Sequence, residues 1–149
     1  MVDFTAQSHL HAGQWTAAID RCVMTYDERF LRRKVVQTAG GHDVLVDFEH
    51  TVSLGHGDAL VLEDGHCIKI CAANEALIAI SGGDLVRLAW HIGNRHTPCQ
   101  IEPDRLLIQT NHVMQDMLEK LGASTENVTA PFMPEGGAYG HGRTHGHAH

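Results

Sequence analysis

The sequence is poor in lysine and aromatic residues and contains no long apolar run. Among its 149 residues there are three lysines, and aromatic side chains make up 5% of the chain. Eleven basic residues stand against 18 acidic ones, and the formal net charge of -7 repels phosphate groups, which argues against a nucleic-acid partner. The nearly uncharged apolar stretch Ile70–Ser81 is far shorter than the roughly 20 residues that span a bilayer. We therefore expect no membrane segment.

Signals for secretion, metal-binding cysteines and catalysis are also missing. The first residues have neither a basic start nor an apolar run, so we expect no secretory signal and a cytoplasmic protein. The four cysteines form no C-x-x-C pair, which excludes a zinc ribbon, and we expect them to be reduced and buried. The H-E-x-x-H, G-x-S-x-G and P-loop patterns are absent. We predict that the chain is not an enzyme and has no catalytic residue.

Histidine, in contrast, is abundant. The chain has 13 histidines, and four of them fall within its last nine residues. Imidazole is the commonest metal ligand in proteins and changes its charge near neutral pH. The composition therefore points to metal binding or pH sensing. One isolated H-x-H pair, His9 and His11, is only weakly indicative of a zinc hydrolase, and we expect both side chains to be solvated.

Short strands are predicted throughout residues 1–75. Val44–Phe48 alternates apolar and polar side chains, which is the period of a half-buried strand. Glu63–His66 contains an Asp-Gly pair between two apolar runs and predicts a hairpin turn. Trp15–Met24 and Phe30–Thr38 are further predicted strands. About six short strands indicate an all-β domain, either a small sandwich or a barrel.

The second half of the chain alternates strands with helices. Ala76–Ile80 predicts a short strand, and Ser81 and Asp84 after it have the spacing of a capping box. The next run has apolar residues at helical spacing, and we expect this helix to end at Gly93 or Pro98.

Two strands, a second helix and a last strand complete this pattern. The strands are predicted at Cys99–Ile101 and Arg105–Gln109, with a last one at Asn127–Phe132. Asn111 is suited to cap the second helix and Gly122 to stop it. The resulting order β-α-β-β-α-β matches the ferredoxin-like plait, so the predicted fold class is α+β.

After Pro134 the chain is rich in glycine and poor in apolar residues, which predicts a mobile tail. We therefore expect an N-terminal β domain at residues 1–75, a ferredoxin-like metal-binding domain at residues 76–138 and a flexible His-rich tail at residues 139–149. Alternating histidines on a flexible backbone can direct several imidazoles to one borderline metal ion such as Ni²⁺, Cu²⁺ or Zn²⁺. Because these histidines are interleaved with Gly, Arg and Thr, they favour a native sequence over an affinity tag.

Several segments together resemble the UreE family of urease accessory proteins, which are nickel metallochaperones. His91–Pro98 resembles the family's G-N-R-H segment, and Leu106–Leu118 resembles the strand and helix that follow it. Pro131–Gly140, with the histidines after it, resembles the C-terminal signature of the family. Asp27–Arg29 and the arginines after it resemble a basic stretch near the family's start. The resemblance covers nearly the whole chain in the right order.

The resemblance also implies the metal ligands, which spacing alone leaves open. It implies a homodimer formed through the C-terminal domains, in which His96 lies at the dimer axis and binds nickel together with its counterpart. The family's H-x-H pair near the second helix keeps only its second member here, His112, as a candidate accessory ligand. In the tail, His145, His147 and His149 are candidate ligands.

The implied function is delivery of Ni(II) to apo-urease during assembly of the urease metallocentre, with Cu(II) or Zn(II) able to bind the same sites. The implied partners are the urease apoprotein and the urease-maturation GTPase complex, which the N-terminal domain would dock. Two alternatives remain open from the residues themselves. One is a protein that stores or buffers nickel, copper or zinc, and the other is a metal-dependent hydrolase that uses His96 with carboxylates.

Overall fold

A computed structural model of the chain describes residues 1–136. It contains two compact units, one at Met1–Ala73 and the other from Asn74 onward. Each unit has its own cluster of buried apolar side chains. The predicted His-rich tail at residues 139–149 lies outside the described residues.

Six strands form the first unit. They are β1 (Phe4–Leu10), β2 (Asp20–Met24), β3 (Phe30–Gln37), β4 (Asp43–Ser53), β5 (Ala59–Leu62) and β6 (Cys67–Ala72). They belong to one sheet with the order β2-β6-β5-β1-β4-β3. The β1–β4 and β2–β6 pairs are parallel, and the other neighbours are antiparallel. The turn predicted at Glu63–His66 joins β5 and β6, as expected.

The two edge strands of this sheet contribute side chains to the same core, and from this we infer that the sheet is curled. Side chains of β2 and β3 belong to one buried apolar cluster together with side chains of the four inner strands. Near these edges, the backbone N–H of Ala39 donates to the carbonyl of Arg21 at 2.8 Å. The predicted N-terminal all-β domain is confirmed, in the form of a single curled sheet.

The prediction of a strand over Trp15–Met24 is wrong in its first half. The strand begins only at Asp20. The indole N–H of Trp15 donates to the carbonyl of Gly57 at 3.0 Å, so the segment before Asp20 is held against the turn that precedes β5. Trp15 therefore serves a loop contact and is not part of the strand.

A buried arginine fixes the connection between β2 and β3. Arg29 ends a 3₁₀ turn at Asp27–Arg29 and is only 1% exposed. Its Nε donates to the carbonyl of Leu54 at 3.0 Å, and its Nη1 donates to the carbonyl of Met24 at 3.1 Å. The guanidinium also lies 5.8 Å from the ring centre of Tyr26. Because a buried charge needs such partners, Arg29 has a structural role.

The second unit has the predicted ferredoxin-like order. Its elements are β7 (Asn74–Ser81), α1 (Leu85–Asn94), β8 (Gln100–Ile101), β9 (Leu106–Gln109), α2 (His112–Lys120) and β10 (Ser124–Pro131). The four strands form an antiparallel sheet with the order β10-β7-β9-β8. This arrangement is the ferredoxin-like plait, and the predicted α+β fold class is confirmed.

The capping box predicted at the start of α1 is wrong. The N-cap is Asp84, whose side chain accepts a hydrogen bond from the backbone N–H of Arg87 at 3.2 Å. Ser81 is instead the last residue of β7. Gly82 and Gly83 separate the two, and both have positive φ, so the chain turns sharply between the strand and the cap.

The start and end of α2 are as predicted. The Asn111 side chain accepts a hydrogen bond from the backbone N–H of Met114 at 3.0 Å, and Gly122 follows the helix with a φ of 95°. Both helices pack on one face of the sheet through a cluster that contains Ile78, Ile80, Leu88, Ile92, Leu106, Ile108, Met114 and Leu118. Among residues 1–136, no helix has the length and apolar composition needed to cross a bilayer.

Candidate metal centre

His96 lies at the end of α1, in a turn closed by two hydrogen bonds. The helix ends at Asn94, between the two predicted end points. The backbone N–H of His96 donates to the carbonyl of Gly93 at 3.0 Å, and that of Thr97 donates to the carbonyl of Ile92 at 3.3 Å. These two bonds define a Schellman motif, in which the residue after the cap adopts the left-handed conformation. That residue is His96, with a φ of 56°.

This backbone conformation is unusual for a histidine. Within residues 1–136, every other residue with positive φ is a glycine. A residue with a Cβ in the left-handed region is destabilised by about 1 kcal/mol, whereas glycine has no such penalty. A histidine at a position that favours glycine is the kind of local strain that occurs at functional sites. The backbone therefore singles out His96 independently of any sequence motif.

The position also suits a cation electrostatically. His96 is exposed, and it follows the last turn of α1, where the carbonyl groups form the negative end of the helix dipole. A divalent metal ion at this end is favoured by the helix. The Nη1 of Arg95 already donates to one carbonyl of that turn, that of His91, at 3.3 Å.

His112 has the opposite electrostatic setting. It is the first residue of α2 and is exposed. The positive end of the α2 dipole lies at this turn, which disfavours a cation by a few tenths of a kcal/mol to about 1 kcal/mol. His112 is therefore a weaker candidate ligand than His96 on physical grounds.

The topology of the second unit brings His96 and His112 to the same end of its sheet. β8 runs in the same direction as β7, so α1 must return the chain to the end where β7 begins. β9 ends at Gln109, which pairs with Leu77 near the start of β7, and α2 begins three residues later. We call this the β7-start end of the sheet.

The chain also leaves the last strand at the β7-start end. Pro131, the last residue of β10, pairs with Asn74, the first residue of β7. Beyond it, the backbone N–H of Met133 donates to the side-chain oxygen of Gln100 at 2.9 Å, and that of Glu135 donates to the carbonyl of Cys99 at 2.8 Å. The segment that leads into the His-rich tail, which we call the root of the tail, is thus hydrogen-bonded to Cys99, three residues after His96 in the sequence.

The Cys99 thiol at this root is a poor candidate ligand. Burial and, to a smaller extent, the nearby Glu135 carboxylate raise the pKa of Cys99 to about 11. The thiol therefore stays protonated at neutral pH, whereas metal ligation needs the thiolate.

The described residues do not form a closed metal cage. Among residues 1–136, no group of three or more His, Cys, Asp or Glu side chains converges as a metal site. The other predicted ligands, His145, His147 and His149, lie outside the described residues. A metal ion at His96 would therefore need further ligands from a second copy of the chain or from positions beyond residue 136.

The outer faces of both helices carry apolar side chains whose exposure the sequence patterns did not predict. On α1, Val86 is 83% exposed and Trp90 is 62% exposed. On α2, a surface hollow of about 430 Å³ is lined by Val113, Asp116, Met117, Lys120 and Leu121. The signal was the spacing of these residues, because Val86 and Trp90 are four residues apart and Val113, Met117 and Leu121 repeat at the same interval. Exposed apolar groups of this kind mark interaction surfaces.

Comparison with known proteins finds the same family for both units. The family model described as UreE urease accessory protein, C-terminal domain, matches residues 75–149, and the corresponding N-terminal domain model matches residues 5–73. A urease accessory protein UreE from Ruegeria pomeroyi is 62% identical over 137 residues, which are 92% of each chain. The UreE proteins of Cereibacter sphaeroides and Rhodobacter capsulatus are 53% and 52% identical, over 97% and 94% of this chain and 79% and 89% of their own.

Proposed function

The chain belongs to the UreE family of urease accessory proteins, and from this premise we propose that it is a nickel metallochaperone. Family membership assigns the chain to urease maturation. The proposal adds that it binds Ni(II) and delivers it to apo-urease during assembly of the metallocentre. In this role it is a cytoplasmic carrier and not an enzyme, and Cu(II) or Zn(II) can occupy the same ligands.

The observation that carries the proposal is the conformation of His96. It is exposed, it stands where glycine would be less strained, and it lies at the negative end of a helix. Neutral imidazole is a suitable ligand for Ni²⁺. These properties support His96 as the primary nickel ligand, and they are independent of the likeness to the family.

One histidine from each of two chains makes a sparse coordination shell, which suits a carrier. A carrier must bind its cargo and then release it, and a closed cage of folded ligands would have to be disrupted for release. In the proposed dimer the two copies of His96 hold the ion, and ligands that can leave complete the shell.

The outer faces of the helices support a homodimer through the second unit. Val86 and Trp90 of α1 and Val113 of α2 expose apolar surface that a second copy can cover. Trp90 lies in the last turn and a half of α1, close in sequence to His96. We expect light scattering at tens of micromolar to give the mass of a dimer, and Trp90→Asp to shift it toward the monomer. A monomeric wild-type chain would contradict a metal site shared by two copies.

We propose that the tail supplies the exchangeable ligands of the nickel ion. Its root is fixed at Cys99 and Gln100, and the extended length of residues 136–145 reaches up to about 35 Å. His145, His147 and His149 are therefore within reach of His96, with His112 as an accessory ligand at the same end of the sheet. Deletion of residues 141–149 should lower the number of nickel ions bound per dimer and retain the tightest one, as equilibrium dialysis can measure.

The first unit is proposed to dock the urease apoprotein or the urease-maturation GTPase complex. Its edge strand β3 carries three consecutive exposed cations, Arg32, Arg33 and Lys34. None of the three forms an ion pair with another residue of the described chain. In a protein of net charge -7, such a strip suits an acidic partner surface.

Transfer of nickel to apo-urease tests the function directly. The nickel-loaded full chain is compared with an equal amount of free nickel. Both assays contain a chelator that keeps free nickel below the concentration needed to activate apo-urease. We expect the loaded chain to activate apo-urease under these conditions and His96→Ala to give no more activation than free nickel. Activation that does not exceed the free-nickel level would contradict delivery.

Storage or buffering of nickel, copper or zinc is the second candidate function, because four histidines within the last nine residues favour the binding of several metal ions. The same assay separates the two functions. A buffer would bind several ions per dimer and would slow activation when it is added in metal-free form. It would not speed activation in its loaded form.

A further inference from the structure

A second pair of histidines lies in the first unit, far in sequence from His96. His9 is the next-to-last residue of β1, and His11 follows the last residue of that strand, Leu10. Their ring centres are 5.7 Å apart, and the ring planes make an angle of 80°. The two imidazole rings therefore lie beside each other, edge to face, although the sequence alone suggested two solvated or capping side chains.

His9 carries a polar atom with no partner. Its Nδ1 is buried, and within residues 1–136 it is the one such side-chain atom of a non-exposed residue that forms no hydrogen bond. The ring of His9 also packs against Phe48, with ring centres 5.4 Å apart. Buried polar atoms nearly always have a partner, and an unsatisfied one points to a missing ligand, ion or water.

The environment keeps this imidazole in the form that binds metals. Burial lowers the pKa of His9 below its ordinary value, the neighbouring His11 lowers it further, and the Asp58 carboxylate opposes both. At neutral pH, His9 is therefore neutral, and protons compete less for its lone pair.

Asp58 supplies negative charge to this region without being a free ligand itself. It is 8% exposed. One of its carboxylate oxygens accepts from the backbone N–H of Ala12 at 2.9 Å, and the other accepts from that of Gly55 at 2.7 Å. A cation bound by the histidine pair would gain from this charge, because Asp58 is close enough to affect the protonation of His9.

We propose that His9 and His11 together bind a borderline divalent transition metal ion of the Zn²⁺, Cu²⁺ and Ni²⁺ class. Two imidazoles on one tetrahedral ion have ring centres roughly 5 Å apart, because each metal–nitrogen bond is about 2.0–2.1 Å. The observed 5.7 Å between the ring centres is close to that separation. This site is separate from the proposed nickel site at His96 and does not depend on it.

The site has two protein ligands and leaves the remaining positions to water. Glu49 and His50 line the same hollow as His9, which has a volume of about 260 Å³. Within residues 1–136, however, they do not join the pair to form a group of three ligands. We therefore expect weaker and more readily exchanged binding than in a closed site.

The test is a zinc titration of the full-length, ¹⁵N-labelled protein, in which imidazole resonances are followed residue by residue by NMR. Zn²⁺ is diamagnetic, and binding in the tail does not interfere because each histidine is observed separately. We expect ring ¹⁵N shifts of His9 and His11 to change together with one apparent affinity. The absence of a shift at His9 up to millimolar zinc would overturn the proposal.

Two variants make this test specific. His11 is exposed, so His11→Ala should leave the fold intact and should raise the zinc concentration for the half-maximal shift of His9 at least tenfold. His66→Ala is the matched control, because His66 is an exposed histidine with its own carboxylate partner, Asp64, at 2.8 Å. An unchanged titration of His9 in His11→Ala would show that the two rings do not share an ion. Loss of this site would leave nickel delivery through His96 untouched, so the two proposals fail separately.

Discussion

The two helices of the second unit end in the same motif but with different residues at its left-handed position. After α2, the backbone N–H of Gly122 donates to the carbonyl of Glu119 at 3.0 Å, and that of Ala123 donates to the carbonyl of Leu118 at 3.1 Å. After α1, the equivalent bonds surround His96. The φ angles are 95° for Gly122 and 56° for His96.

Stability favours glycine at the left-handed position of this motif, whereas the proposed nickel binding requires histidine. Glycine is the residue that relieves the left-handed conformation, and the end of α2 has it. The end of α1 keeps a strained histidine at the β7-start end of the sheet, and the end of α2 lies at the opposite end, away from the root of the tail. We infer that one helix end is optimised for folding and the other is used for binding. Four substitutions test this comparison.

The largest expected effect is on nickel binding. His96→Gly should weaken the tightest nickel site at least about 100-fold, because the proposed dimer loses one imidazole from each chain. Competition with a chelator of known affinity measures this change. Gly122→Ala is the matched control at the other helix end, and it should bind nickel as the wild type does. Retention of tight binding in His96→Gly would move the primary site elsewhere.

Gly122→Ala should have the largest effect on stability. A Cβ at this position meets no atom within 4 Å, so the penalty comes from the backbone and not from a clash. We expect a loss of about 1–2 kcal/mol in the free energy of unfolding. Urea unfolding of the metal-free protein, followed by Trp90 fluorescence in a Trp15→Phe background, reports on this unit. Protein concentration must be constant, because dimerisation contributes to stability. A loss near zero would mean that the motif does not need glycine.

The contrast between the helix ends also shows what the sequence could reveal. Asn111 and Gly122 were predicted correctly, because a cap and a stop are local signals that act through the backbone of one turn. Ser81 was chosen wrongly as a cap because its spacing to Asp84 fits a capping box, but strand pairing extends β7 through Ser81. The competing interaction is non-local, and spacing along the chain does not contain it.

The candidate site, like the helix caps, was predicted from the sequence only in part. The abundance of histidine and the likeness to a known family pointed to His96, whereas the left-handed backbone at His96 could not be predicted, since the local rule favours glycine and therefore pointed to Gly93. The close approach of the His9 and His11 rings was also missed, because a two-residue spacing does not fix how side chains are oriented where a strand ends. The metal-binding roles of His96, of His112 and of the tail histidines stay predictions.

His96→Gly should also stabilise the metal-free protein. Glycine removes the left-handed strain of about 1 kcal/mol, although it adds freedom to the unfolded chain that costs about 0.4–1 kcal/mol, so we expect a net gain of at most about 0.5 kcal/mol. The same urea measurement applies. In the exchanged variant, His96→Gly with Gly122→His, the two effects should add because the positions lie at opposite ends of the sheet, and the loss at position 122 should exceed the gain at position 96. A loss of stability in His96→Gly would show that the imidazole makes a contact that outweighs the strain.

The smallest expected effect separates the imidazole from its backbone. His96→Ala removes the side chain but keeps a Cβ in the left-handed conformation, so the strain stays. Because His96 is exposed, we expect the free energy of unfolding to change by less than about 0.5 kcal/mol, while nickel affinity falls as far as in His96→Gly. The comparison of alanine with glycine at one position then gives the backbone contribution alone. If alanine stabilised the protein as much as glycine, the gain would come from loss of the imidazole, and the left-handed backbone would no longer mark His96 as a position kept for function.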